Sequence, residues 1–279
     1  MLQLGRTYTL SVVKLTDFGA FLDAEDLGEI LLPKKHTPKG LQVDDAIDVF
    51  LYTDSEDRPV ATTQEPKAEV GEFAYLEVTD NTPIGAFLDW GLDKDVLVPF
   101  SEQHRPMTVG NSYLVFLYLD NQDRITATSK IEKVLAESEE HDFLPQQPVD
   151  LIIANSSELG FKAIVNHTHW GLLYKDEVDQ RLSFGQSIPG YIKQVREDGR
   201  IDLSLKSSQQ LRESYSQRIH DYLVENGGIA PVHDKSPPEE ISELLGLSKR
   251  EFKRGVGALY KQRAIMIEKD GIRLNSSSE

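Results

Sequence analysis

The side chains of this sequence best placed to do chemistry are ones that bind, because they recur in register. Phe18 and Phe21 stand in the string FGAFL, and Phe87 stands in its near copy IGAFL. Arg58 and Arg124 each follow the glycine of that motif by 39 residues, in DRPVATT and DRITATS, and Arg200 follows Gly160 by 40. An aromatic ring presents a π-face and a guanidinium presents a planar charge, so the chemistry on offer is stacking and the holding of planar or anionic groups. Further on, Arg250, Lys253, Arg254 and Lys261 add cations at helical spacing.

Bond-making chemistry has no comparable signature. The chain has no cysteine, which removes disulfides, thiolate nucleophiles and thiolate zinc sites. It has no GxSxG, HExxH, P-loop or GxGxxG string. Of its seven histidines, His167 and His169 would share a face at strand spacing. They lack carboxylates in a metal-binding pattern and read as a loop or strand surface. The pairs Asp44-Asp45 and Glu239-Glu240 fall in turn and helix-start contexts that account for them. The sequence therefore predicts no enzyme, no metal and no cofactor.

Composition bounds the class. The 279 residues suffice for two or more cores. No stretch approaches the ~18 apolar residues of a membrane helix. The start, MLQLGRTYTL, lacks a basic region followed by an apolar run, so no signal peptide is expected. With the absence of cysteine, this predicts a soluble, cytoplasmic protein. The net charge of -16 opposes long-range attraction to a polyanion. The charge is uneven: residues 208–274 carry eleven Lys and Arg against ten Asp and Glu, whereas residues 1–206 carry 19 against 35. Contacts of the acidic part with an anion must be local.

The elements that position these groups come in copies. Fourteen residues separate Gly19 from Pro33, and fourteen separate Gly85 from Pro99, with an apolar strand ending at each proline. A diverged third copy has Gly160 in ELGFKAIV, then WGLLYKDE and GRIDLSL. Each copy reads as five short strands in 60–70 residues, punctuated by Gly, Asp, Asn and Pro. Five such strands closing on themselves form an OB-type barrel without exposed edges. Residues 130–148 read as a short helix with an acidic, solvated face and a linker. The expected domains are barrels over 1–64, 65–146 (with that helix) and 147–207, and a fourth domain over 208–279.

After Lys206 the apolar period changes from two to about 3.6. Leu211, Tyr215, Ile219, Tyr222 and Leu223 share one helical face that stops at Gly227-Gly228. Ser236 stands as N-cap of a short second helix ended by Gly246, and Ser248 with Glu251 forms a capping box for a third. On that third helix Phe252, Val256 and Leu259 line one face, while Arg250, Arg254 and Lys261 lie opposite, with Lys253 at the flank. A hairpin around Asp270-Gly271 completes a winged helix-turn-helix. Its basic face suits nucleic acid; the competing reading is a solvated face on a module that docks protein.

FGAF, IGAF and GRIDLSLK make the three repeats resemble S1 domains, the OB-fold RNA-binding repeat of a ribosomal protein. Three of them before a winged helix resemble the conserved virulence factor B family of bacterial RNA-binding proteins, over nearly the whole chain. The resemblance implies that one face of each barrel offers two aromatics, a histidine, an aspartate and an arginine to single-stranded RNA. The first copy supplies Phe18, Phe21, Asp54 and Arg58, with Pro33 at the histidine position. The second supplies Phe87, Asp120 and Arg124, with Ile84 and Pro99 as departures. The third supplies Tyr174 at the histidine position and Arg200, while Leu159, Lys162 and Arg196 replace the aromatics and aspartate. Against this, Phe21 and Phe87 have an alternative place in the barrel cores, which weighs more for Phe87, and Arg58 and Arg124 an alternative role in a local ion pair. The expectation is an RNA-binding regulator with no catalysis. Its rivals are a regulator reading duplex DNA through the winged helix and a protein-interaction scaffold, which the net charge favours.

Overall fold

The structure, a computed structural model, describes residues 2–135 and 141–275. Strands β1 (Thr7–Thr16), β2 (Gly19–Asp23), β3 (Glu29–Pro33), β4 (Ala46–Thr53) and β5 (Pro59–Thr62) close a barrel in the order β1-β2-β3-β5-β4. The second barrel repeats it with β6 (Phe73–Thr82), β7 (Gly85–Asp89), β8 (Val96–Pro99), β9 (Ser112–Leu119) and β10 (Ile125–Thr128). Helix α1 (Ile131–Leu135) follows; the acidic run after it lies outside the described residues. The third barrel is built from β11 (Pro148–Ser156), β12 (Gly160–Val165), β13 (His169–Tyr174), β14 (Ser187–Val195) and β15 (Ile201–Ser204). The predicted barrels of five strands are all present. In each, a long antiparallel meander is closed by a parallel contact of the third and fifth strands, as at Leu31–Val60.

Alternation explains the cores. Leu22, Leu32 and Leu51 are fully buried in the first barrel, Leu76, Leu88 and Leu117 in the second, and Leu151, Ile153 and Leu203 in the third. The intervening residues face outward. A single steric demand recurs at the start of the second strand. A Cβ at Gly19, Gly85 or Gly160 would lie closer than 3.0 Å to the carbonyl oxygen of Leu32, Val98 or Leu173 on the facing strand. Only glycine allows that approach, which is why the motif survives in all three copies.

The chain divides into two compact units, residues 1–143 with 149–189 and 195–203, and residues 144–148 with 190–194 and 204–279. Within the first unit the barrels are joined by apolar contacts. Phe50 meets Trp90 edge-on at 5.5 Å, and Tyr52 and Val60 of the first barrel belong to the second barrel's buried cluster. Between the second and third, Phe73 packs with Leu135, Ile152 and Ile164, and its backbone N–H donates to His167 Nδ1 at 2.8 Å. His167 therefore does not share a strand face with His169. It sits at φ 59° in the turn between β12 and β13, stacked on Phe73.

The second unit carries the winged helix: α2 (Ser208–Glu225), β16 (Ile229–Ala230), α3 (Pro238–Leu245), α4 (Lys249–Lys261), β17 (Ile265–Glu268) and β18 (Gly271–Leu274). Ile219, Leu223, Phe252, Val256 and Leu259 meet in one core, as their spacing predicts, together with Ile241 and Leu245 of α3. Two local readings are corrected. Ser236 does not cap α3; its Oγ accepts from His233 N at 3.1 Å, and the helix starts on Pro237 and Pro238, whose missing N–H groups need no cap. The hairpin turns on Lys269 and Asp270, because Glu268 pairs with Gly271. Gly271 is required for another reason: a Cβ there would collide with the carbonyl of Ala230 on β16, a two-residue strand too short to show in the sequence.

Candidate nucleic-acid interface

On the first barrel, Phe18 occupies the tip between β1 and β2 and is 78% exposed. Thr16 shapes the tip: its Oγ1 donates to Gly19 O at 2.9 Å and accepts from Phe18 N at 3.3 Å. The same turn recurs at Thr82 and Ile84 and, through Ser157, at Leu159. Each barrel thus holds one large exposed apolar residue at the same place. Phe21 pairs with Leu31 and stands outside the core, half-buried, so its alternative place inside the barrel is excluded. Lys14 Nζ lies 4.5 Å from the Phe21 ring centroid, held there by Glu29 at 2.5 Å. Sequence reasoning missed this cation, because a bulge between Val12 and Lys14 shifts the register that brings it opposite Phe21.

Asp54 and Arg58 bracket the turn from β4 to β5. Arg58 Nε donates to Asp54 Oδ2 at 2.8 Å and its backbone N–H to Asp54 Oδ1 at 3.0 Å, while Asp57 between them takes φ 58°. Burial pushes the Asp54 carboxyl up, but the Arg58 guanidinium and the N–H groups of Arg58 and Glu56 outweigh it and hold it below its ordinary value. The pair is an ion pair within a turn, as the competing reading held, and it aims the guanidinium while leaving Arg58 exposed.

The second barrel repeats the device with Asp120 and Arg124, joined at 2.9 Å through Nε. Phe87 pairs with Asp80 and Leu97 and is half-buried outside the core. Asp80 takes the place of Lys14, so this face lacks the flanking cation. Phe87, Ile84, Asp120 and Arg124 face the first barrel. They line a cleft of about 330 Å³ together with Tyr52, Thr53 and Asp57 of the first barrel.

The third barrel exchanges its charges. Arg196 holds the place of Asp54 and Asp120, since its N–H donates to Arg200 O at 2.8 Å as theirs do to Arg58 and Arg124. Its side chain turns inward, with Nε 3.0 Å from Oδ1 of Asp202, a carboxylate 2% exposed, and its Nη2 reaches the Tyr174 hydroxyl. Tyr174 in turn donates to Asp202 at 3.3 Å. Arg200 is left at the surface beside Asp198 at 3.5 Å. Lys162 stands over Trp170, 3.9 Å from its centroid. Asp202 is the buried member of this pair, and Arg196 is partly solvated. Asp202→Asn is expected to lower stability, because it takes the charge from a carboxylate that both Arg196 and Tyr174 meet. Urea unfolding followed by Trp170 emission in a Trp90→Phe background measures it.

On α4 the capping box of Ser248 with Glu251 starts the helix. Lys249, Arg250, Lys253 and Arg254 line one shallow surface over its first half. None of the four makes a side-chain hydrogen bond or ion pair with another described residue. Lys249 was missed because it is the first helical residue, where the periodicity has not yet declared a face. Lys261 lies on the same side in the last turn, exposed.

Fold and surface define the class: OB barrels of S1 type joined to a winged helix, a nucleic-acid-binding architecture. Residues 4–64 and 70–130 each match the family described as S1 domain, and residues 217–274 match the CvfB-like winged helix domain. The chain is 30% identical over 268 residues to the Bacillus subtilis protein YitL, covering 92% of this chain and 89% of that one. It is 27% identical over 250 residues to conserved virulence factor B of Staphylococcus saprophyticus, covering 84% of this chain and 81% of the relative. A crystal structure of a multidomain protein with nucleic acid binding domains from Streptococcus pneumoniae aligns over 98% of both chains, with 25% identity and a TM-score of 0.42. The chain belongs to the conserved virulence factor B family. Among the described residues no helix is long and apolar enough to cross a membrane.

Proposed function

We propose that the chain is a non-catalytic, cytoplasmic RNA-binding protein that regulates expression after transcription. The first barrel is the principal site for a single strand. The observation that carries this reading is Phe18, a ring 78% exposed on a tip built to display it, on the barrel that also presents Phe21 beneath Lys14 and an exposed Arg58. Unstacked bases expose π-faces to such rings, and duplex bases do not. Phe87, Asp120 and Arg124 extend the surface on the second barrel, and Tyr174 and Arg200 contribute least, because Tyr174 already serves Asp202. Arg250, Lys253, Arg254 and Lys261 supply phosphate contacts. Contacts of this short range operate in a protein of net charge -16, where a long-range field would repel.

Phe18→Ala with Phe21→Ala is expected to weaken single-stranded RNA binding at least about tenfold, since stacking contributes ~1–3 kcal/mol per base. Folding should barely change, because neither ring belongs to the core. Fluorescence anisotropy with an RNA strand and a DNA duplex, each at two salt concentrations, decides the matter. Preference for the duplex would sink this reading in favour of a DNA-binding regulator, which the four cations of α4, unpaired among the described residues, favour. Binding to neither would point to a scaffold.

A further inference from the structure

The cleft between the first two barrels is a site that neither barrel builds alone. One wall is apolar and comes from Ile84, Phe87 and Leu97 of the second barrel. The other is the β4–β5 turn of the first barrel, and Lys94 pins that turn in place. Its Nζ donates to Asp54 O at 2.7 Å, Thr53 Oγ1 at 3.1 Å and Asp57 Oδ1 at 3.1 Å. The cleft is therefore preformed. Its volume of about 330 Å³ sits at the lower end of small-ligand sites, suited to one nucleoside.

The cleft carries three carboxylates, Asp57, Asp95 and Asp120, against two cations, Lys94 and Arg124, and each cation already holds a carboxylate. Asp57 gives only Oδ1 to Lys94, and Asp95 gives only Oδ2 to Thr79 Oγ1 at 2.6 Å. Asp57 Oδ2 and Asp95 Oδ1 take no hydrogen bond from another described residue. Asp120 faces the same space, with both oxygens already serving Arg124 and its turn. Carboxylates beside an aromatic wall repel phosphate and attract N–H donors. A base edge bearing an exocyclic amine satisfies them, whereas the O4 lone pairs of uracil oppose them.

Resting on the RNA reading above, we propose that this cleft takes one base of the bound strand against Phe87 and selects bases with an exocyclic amino group over uracil. Cytosine and uracil have the same size but reversed polarity at position 4 (amine against carbonyl) and at N3 (acceptor against N–H donor), so they report which pattern this edge accepts. Trp90 lines the cleft, and Trp170→Phe leaves it as the sole tryptophan. In that full-length background, oligocytidine is expected to bind about tenfold tighter than oligouridine by anisotropy and to change Trp90 emission saturably. Asp57→Asn with Asp95→Asn should bring the ratio below about threefold without weakening oligouridine. Asparagine keeps one acceptor for Lys94 and for Thr79 and tolerates the φ of 58° at position 57, so the turn survives. Binding of both strands with Trp90 unmoved, or a ratio unaffected by the double variant, overturns the proposal and leaves the RNA reading standing. Failure of every strand to bind overturns both.

Discussion

Gly160→Ala is expected to lower the stability of the third barrel by about 3 kcal/mol or more. Two costs add. The residue sits at φ 156°, where a Cβ is strained by about 1–2 kcal/mol. That Cβ would also meet Leu173 O, and the oxygen cannot yield, because β12 and β13 are paired from Gly160–Tyr174 through Val165–His169. Forcing strands apart around an inserted methyl typically costs a further 1–3 kcal/mol. Trp170 lies on β13, so its emission in a Trp90→Phe background follows this barrel. The urea midpoint should fall by about 1 M or more. Gly199→Ala, in the same barrel, is the control. It has φ 78° but nothing within 4 Å of the added Cβ, so only the backbone strain remains, about 1 kcal/mol. Equal losses at the two positions would show that the close approach is not what retains the glycine.

The same steric demand makes much of the architecture legible in the sequence. FGAF and IGAF mark a place where the backbone itself demands glycine, and the Asp-to-Arg spacing marks a turn closed by its own side chains. Such local demands leave local traces. What the sequence hid was set by register or by tertiary contact. Lys14 reaches Phe21 only through a bulge. Phe87 alternates correctly for either a core or a surface, and the pairing with Asp80 and Leu97 decides it. Lys94 meets Asp57 across 37 residues and two barrels, so no motif could announce the cleft. Arg196 reads as a departure from the repeat pattern. Its partner Asp202 restores an acid–base pair with the places exchanged, visible only when both side chains are seen to meet.

Replacing Arg250, Lys253 and Arg254 together by alanine should separate electrostatic from stacking contributions by their salt dependence. None of the three belongs to the winged-helix core, so the helix keeps its packing through Phe252, Val256 and Leu259. For single strands each phosphate neutralised contributes ~0.7 to the slope of log affinity against log salt, so three contacts contribute about 2. Near 1 M salt these contacts supply almost nothing. At 0.1 M, one decade lower, their loss should weaken RNA binding about 100-fold, and at 0.3 M about tenfold. Phe18→Ala with Phe21→Ala should instead lower affinity by a similar factor at every salt concentration, because stacking releases no counterions. Parallel lines for the triple variant and the unaltered protein would show that α4 takes no phosphate. A duplex DNA ligand would raise the slope difference to about 2.7 for the same three residues. The slope thus reports both whether this helix engages nucleic acid and whether the strand it engages is single or paired.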